Sequence, residues 1–82
     1  MPYIKEEYRD KFAHVTLPVI ENVGELNYVL TNICTWYLEH KLERYQTYND
    51  IVGALECAKL EIYRRKIAIY ENKKKEENGD VY

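Results

Sequence analysis

Between Asn22 and Arg44 the chain repeats apolar residues at helical spacing, and they cover far more than one side of the helix. Placed at about 100° per residue, Leu26, Val29, Leu30, Ile33, Cys34, Trp36, Tyr37, Leu38 and Leu42 spread over an arc of roughly 240°. An ordinary surface helix needs an apolar stripe nearer about 100° wide, so this one has to be covered on two sides. Asn22 to Gly24 opens the helix, and Glu25 sits where a carboxylate suits the positive end of the helix dipole. Only 82 residues are available to supply the cover, and a chain of this size buries roughly 60–65% of its unfolded surface. That allows one helical domain, residues 1–72, with a charged tail over residues 73–82.

A short first helix is expected from Lys5 to Val15, between Pro2 and Pro18, with Glu7 and Lys11 as an i, i+4 ion pair. Tyr8, Phe12 and Val15 form its apolar edge. Pro18 turns Leu17 away from helical backbone, leaving Thr16 to Val23 as a connection that folds Val19 and Ile20 onto the core. Thr47, with Asp50 three residues on, approximates a capping box for a third helix from Tyr48 to about Asn72. Ile51, Ala54, Leu55, Ala58, Ile62 and Ile69 line one side of it, and Val52, Tyr63, Ile67 and Tyr70 a second. Gly53, Ala54, Cys57 and Ala58 are small enough for a neighbouring helix to come close, which would offset the ~1 kcal/mol that a mid-helix glycine costs.

The two long helices would span roughly 30 and 38 Å, more than one short helix can cover. The expectation is an all-α fold, a small helical bundle of one short and two long helices completed by homo-oligomerisation as a dimer or larger assembly. The alternative is a monomeric three-helix bundle with half-exposed tyrosines.

Composition narrows the function. Twelve Lys and Arg against fourteen Asp and Glu give a formal charge of −2, which argues against a dedicated duplex DNA binder. The charged start, from Lys5 onward, does not resemble a signal peptide. No segment approaches the ~18–20 apolar residues of a membrane helix, so a cytoplasmic location away from membranes is expected. Cys34 and Cys57 sit among apolar residues and read as core thiols. With Gly24, Gly53 and Gly79 as the glycines, no phosphate loop can be assembled, and serine is absent. His14 and His40 are the histidines, and His40-x-x-Glu43 occurs once, short of the repeated Glu and His pattern of a bundle metal site. No catalytic residue, metal ligand or cofactor is assigned.

One constellation does carry chemistry. Lys59, Tyr63, Lys66 and Tyr70 follow i, i+4, i+7, i+11 spacing, with Arg64 and Arg65 beside them. Cations alternating with rings along one helix face can stack a base and neutralise a phosphate. The competing reading packs the tyrosines at a subunit interface while the lysines reach out to water. The two are compatible, because ligand pockets often form where subunits meet.

The segments GELNY (Gly24 to Tyr28), YQTYNDIVGALECAKLEIYRR (Tyr45 to Arg65) and NGDVY (Asn78 to Tyr82) resemble a family of small uncharacterised proteins of bacteriophages and bacteria. The resemblance covers nearly the whole chain. It implies phage or prophage origin, makes the NGDVY end part of the family pattern, and brings no known active-site residues. In style the chain is also similar to small helical phage proteins that oligomerise and sequester nucleotide immune signals. The expected function is therefore a non-enzymatic one, binding a small anionic ligand such as a nucleotide signal at an oligomer interface in the host-cell cytoplasm. The alternative is a protein-interaction module, an inhibitor or adaptor that acts on a host or phage protein through the second helix or the tail.

Overall fold

The computed structural model describes residues 4–80, so Pro2 at the chain start and Val81 and Tyr82 of the NGDVY block lie outside the described residues. The fold is all-α, with no strand among the described residues. Helix α1 runs Val23–His40, α2 Tyr45–Ile62 and α3 Ala68–Asn78, with a π turn at Tyr63–Ile67 between the last two. One short and two long helices are present as expected, but the short one is the last. The chain falls into two compact units, Met1–Ile51 and Val52–Tyr82.

In the first unit, the helix expected over Lys5 to Val15 is replaced by two 3₁₀ turns, Glu6–Tyr8 and Asp10–Phe12. Their bonds skip three residues, as in Tyr8 N–H to Lys5 O at 2.9 Å and Phe12 N–H to Arg9 O at 3.0 Å. A single α turn is costly to nucleate without packing, and here Tyr8 and Phe12 are exposed. In a 3₁₀ turn, residues four apart point about 120° away from each other. Glu7 and Lys11 accordingly make no ion pair among the described residues, and Lys11 lies 5.0 Å from the Phe12 ring.

Helix α1 begins where its cap dictates. Asn22 is extended, and its Oδ1 accepts the Glu25 N–H at 2.9 Å, while Glu25 Oε1 accepts the Glu21 N–H at 2.9 Å. The first satisfies a donor that the helix itself leaves open, and the second ties down the residue ahead of the cap. The hydroxyls of Thr31 and Thr35 donate back to the carbonyls of Asn27 and Thr31. The helix stops at His40, short of the expected Arg44, because Lys41 turns extended. Leu42 therefore lies outside the helix that was expected to include it.

The turn into α2 is fixed by Thr47, the buried polar residue among those described. Its hydroxyl donates to the Leu42 carbonyl at 2.7 Å. Thr47 is thus inside the first turn of α2 and does not act as the expected N-cap, and Asp50 accepts from the Gln46 amide instead.

No hydrophobic residue is fully buried among the described residues. On α1, Leu26, Leu30, Ile33, Trp36 and Tyr37 stay 41% to 60% exposed. Val19, expected to fold onto the core, is exposed, and Ile20 is half-buried. A Cβ built at Gly53 would meet open space. None of the helices among the described residues is long and apolar enough to cross a membrane.

Replacing Asn22 with Ala should remove the α1 cap and cost about 1 kcal/mol, lowering the melting midpoint by roughly 4–8 °C. Thermal unfolding followed by far-ultraviolet circular dichroism checks this, and an unchanged midpoint would mean the cap contributes nothing.

A candidate aromatic and cationic cradle

The π turn decides how the residues singled out in the sequence are arranged. In it the Ala68 N–H reaches back to the Tyr63 carbonyl, five residues away where a regular helix spans four. The extra residue sets everything after it back by about 100°. Tyr63, Arg64, Arg65 and Lys66 lie inside this turn. In a regular helix Tyr70 would sit about 20° from Tyr63, and the insertion moves it to about 120°. The expected single line of Lys59, Tyr63, Lys66 and Tyr70 is broken at its last member. Glu71 gains what Tyr70 loses, moving from about 80° to about 20° from Tyr63.

The Glu71 carboxylate across the turn, first as a hydrogen-bond acceptor and then through its negative charge, raises the Tyr63 phenol above the ordinary tyrosine range. Tyr48 is raised in the same way, its hydroxyl donating to Glu43. The other cations are shared with carboxylates. Lys59 pairs with Glu56 at 3.1 Å, and Arg64 and Arg65 both converge on Glu61, at 2.6 and 2.7 Å. Lys66 has no ion-pair partner among the described residues.

Two of the six expected ligand residues, Tyr63 and Tyr70, line an open cavity of about 520 Å3, together with Glu71, Asn72, Lys74, Lys75, Asn78 and Asp80. Lys59, Arg64, Arg65 and Lys66 are not in its wall. The cations that are, Lys74 and Lys75, fall in the stretch that the sequence reads as a charged tail. Helix α3 extends through them to Asn78, past the expected end near Asn72. Lys74 Nζ lies 5.6 Å from the Tyr70 ring and 3.1 Å from Glu77, and Lys75 reaches Asp80 at 3.5 Å. Gly79, at φ 84°, closes the cavity's end by sending its N–H to the Lys75 carbonyl, a backbone conformation glycine adopts without penalty. The Tyr70-to-Lys74 spacing was the available signal, because residues four apart meet on a helix.

The arrangement offers recognition groups: two rings, two ammonium groups, and the side-chain amides of Asn72 and Asn78. The ammonium groups are held by exposed carboxylates in weak, screened pairs, so an incoming anion can take the place of Glu77 or Asp80 at small cost. Outside the cradle, the His40 ring bonds the Trp36 carbonyl at 2.7 Å, His14 is exposed, and Cys34 and Cys57 are free and half-buried.

Fold and site together define an all-α protein with an open aromatic and cationic cradle near the end of its last helix. A family profile described as a domain of unknown function, DUF6899, matches residues 1–81, and the chain belongs to that family. No curated protein and no solved structure gives a significant match.

Ionisation of Tyr63 breaks its bond to Glu71. Since folding raises this phenol, the stability it adds is complete below the ordinary tyrosine value and is lost as pH rises through the raised one. In a spectrophotometric titration, the tyrosinate component removed by Tyr63→Phe should lie above the bulk of the tyrosines, and Glu71→Ala should bring it down among them. A component that titrates with the rest in the parent protein would contradict the bond.

Proposed function

We propose that this chain is a non-enzymatic homo-oligomer that binds a small anionic ligand, of the nucleotide type, at or beside a subunit interface. The observation that carries this reading is the cradle, where Tyr63 and Tyr70 share one cavity wall with Lys74 and Lys75. A ring supplies a stacking face that tolerates any base, and an ammonium group supplies charge for a phosphate. Lys66, on the turn beside the cradle, adds a further cation, and Lys59, Arg64 and Arg65 keep the surrounding surface positive around their carboxylate partners. The cavity is open on one side, a shape that a second subunit can close. The resemblance to phage and bacterial proteins favours a role in the host-cell cytoplasm, where sequestering a nucleotide signal needs only tight binding.

The second reading, a protein-interaction module, is favoured by one observation. The apolar side chains of α1 that stay exposed form a broad surface suited to a partner helix. A second copy of the chain satisfies the same surface, and the oligomeric reading therefore absorbs it.

Calorimetric titration with a panel of linear and cyclic nucleotides should find at least one ligand binding more tightly than millimolar. Tyr70→Ala should weaken that binding by about 1–3 kcal/mol, the usual worth of one stacked base. The reading fails if every nucleotide in the panel leaves the calorimeter silent.

A further inference from the structure

Helix α1 has an apolar groove at its N-terminal end and, further along, an exposed ring that does not line it. The groove encloses about 570 Å3 and is walled by Pro18, Val19, Ile20, Tyr28 and Val29. Val19 is 82% exposed, and Trp36, the chain's one tryptophan, is 60% exposed. The face that joins groove and ring has the spacing of a paired helix. Leu26, Val29, Ile33, Trp36 and His40 alternate steps of four and three, which sets them within an arc of about 80°. Val23, Leu30 and Tyr37 flank this seam on one side, and Glu25, Asn32 and Glu39 on the other. The two flanks decide the direction of pairing. A parallel neighbour would press the apolar flank of each helix against the polar flank of the other. An antiparallel neighbour sets apolar flank on apolar flank, with Leu30 against its own copy, and leaves the polar flanks in water, where salt screens Glu25 from Glu39. The same arrangement levels Leu26 with the second copy's Trp36, and so carries that ring to the groove. It also brings Glu21, ahead of the helix, level with Lys41 at its end, carboxylate to ammonium at both ends of the pair, and opposes the two helix dipoles. A two-fold axis makes each of these pairings twice, so the occupant that this face fits is a second copy of the chain.

Resting on the self-association in the reading above, we propose that α1 pairs antiparallel with α1 of a second copy about a two-fold axis, each copy seating its Trp36 in the other's groove between Pro18 and Val29.

The test uses the full-length chain with Cys34→Ala and Cys57→Ala, carrying either Glu21→Cys or Lys41→Cys, the two variants co-expressed and treated with a short bis-maleimide. In the antiparallel pair position 21 of one copy lies level with position 41 of the other, whereas in a parallel pair the two lie roughly 30 Å apart. The expected product is the mixed dimer, one variant linked to the other. Products that link each variant to itself overturn the proposal and leave self-association standing, as does an assembly, sized by light scattering, that yields no link. A 9.9 kDa particle without links overturns both. Trp36 emission reads the groove directly, and in the parent protein it should move to shorter wavelength as rising concentration drives assembly. Val19→Asp places a carboxylate in the groove wall at an exposed position, and should abolish that shift and bring the mass down to 9.9 kDa with helical content unchanged. A Val19→Asp protein that keeps both the shift and the assembled mass overturns the seating of Trp36.

Discussion

Helix α1 sets the terms for the first unit, because it carries more apolar surface than the single chain covers. Fully burying one Leu, Ile or aromatic side chain stabilises a fold by about 1.5–3 kcal/mol. In the single chain, Leu26, Leu30, Ile33, Trp36 and Tyr37 keep close to half of their surface in water. The burial left unrealised is several kcal/mol, comparable with the whole net stability of a small domain, about 5–15 kcal/mol. What order the first unit has comes from directional bonds: the Asn22 and Glu25 cap, the threonine back-bonds, and the Thr47 hydroxyl on the Leu42 carbonyl. Such bonds fix where helices begin and turn, and they add little net stability where water competes. The remaining apolar surface is what the proposed association with further copies would bury.

The second unit is organised by a different constraint, the one extra residue in its π turn. That insertion moves Glu71 under Tyr63 and takes Tyr70 away from the row ahead of it, toward the wall it shares with Lys74 and Lys75. Lys59, Lys74 and Lys75 each pair with one carboxylate, of Glu56, Glu77 and Asp80, while Arg64 and Arg65 share that of Glu61. A ligand entering the cradle would exchange one carboxylate for another anion, so discrimination would rest on the rings and amides as much as on charge.

Features governed by local chemistry were legible in the sequence. Asn22 with Glu25 marked the start of α1, and Asn78-Gly79 marked a turn that the structure uses to end α3. Features governed by packing were not. Lys5 to Val15 has helical spacing, yet without cover for Tyr8 and Phe12 it tightens into 3₁₀ turns. Thr47 with Asp50 looked like a cap, but the extended Lys41 freed the Leu42 carbonyl for the Thr47 hydroxyl and moved the helix start forward. The π turn has no periodic signature, since the tyrosines and cations around it fit a regular helix equally well. Lys74 and Lys75 were hidden because a run of charges reads as a solvated tail, although the same run has good helix propensity.

Light scattering coupled to size exclusion, run across a range of concentrations with native mass spectrometry on the same sample, tests the need for self-association most directly. The predicted result is a mass of two or more times the 9.9 kDa chain, with native spectra showing whether a small molecule accompanies it. A 9.9 kDa particle at every concentration would contradict it, and would assign the uncovered face of α1 to a different protein.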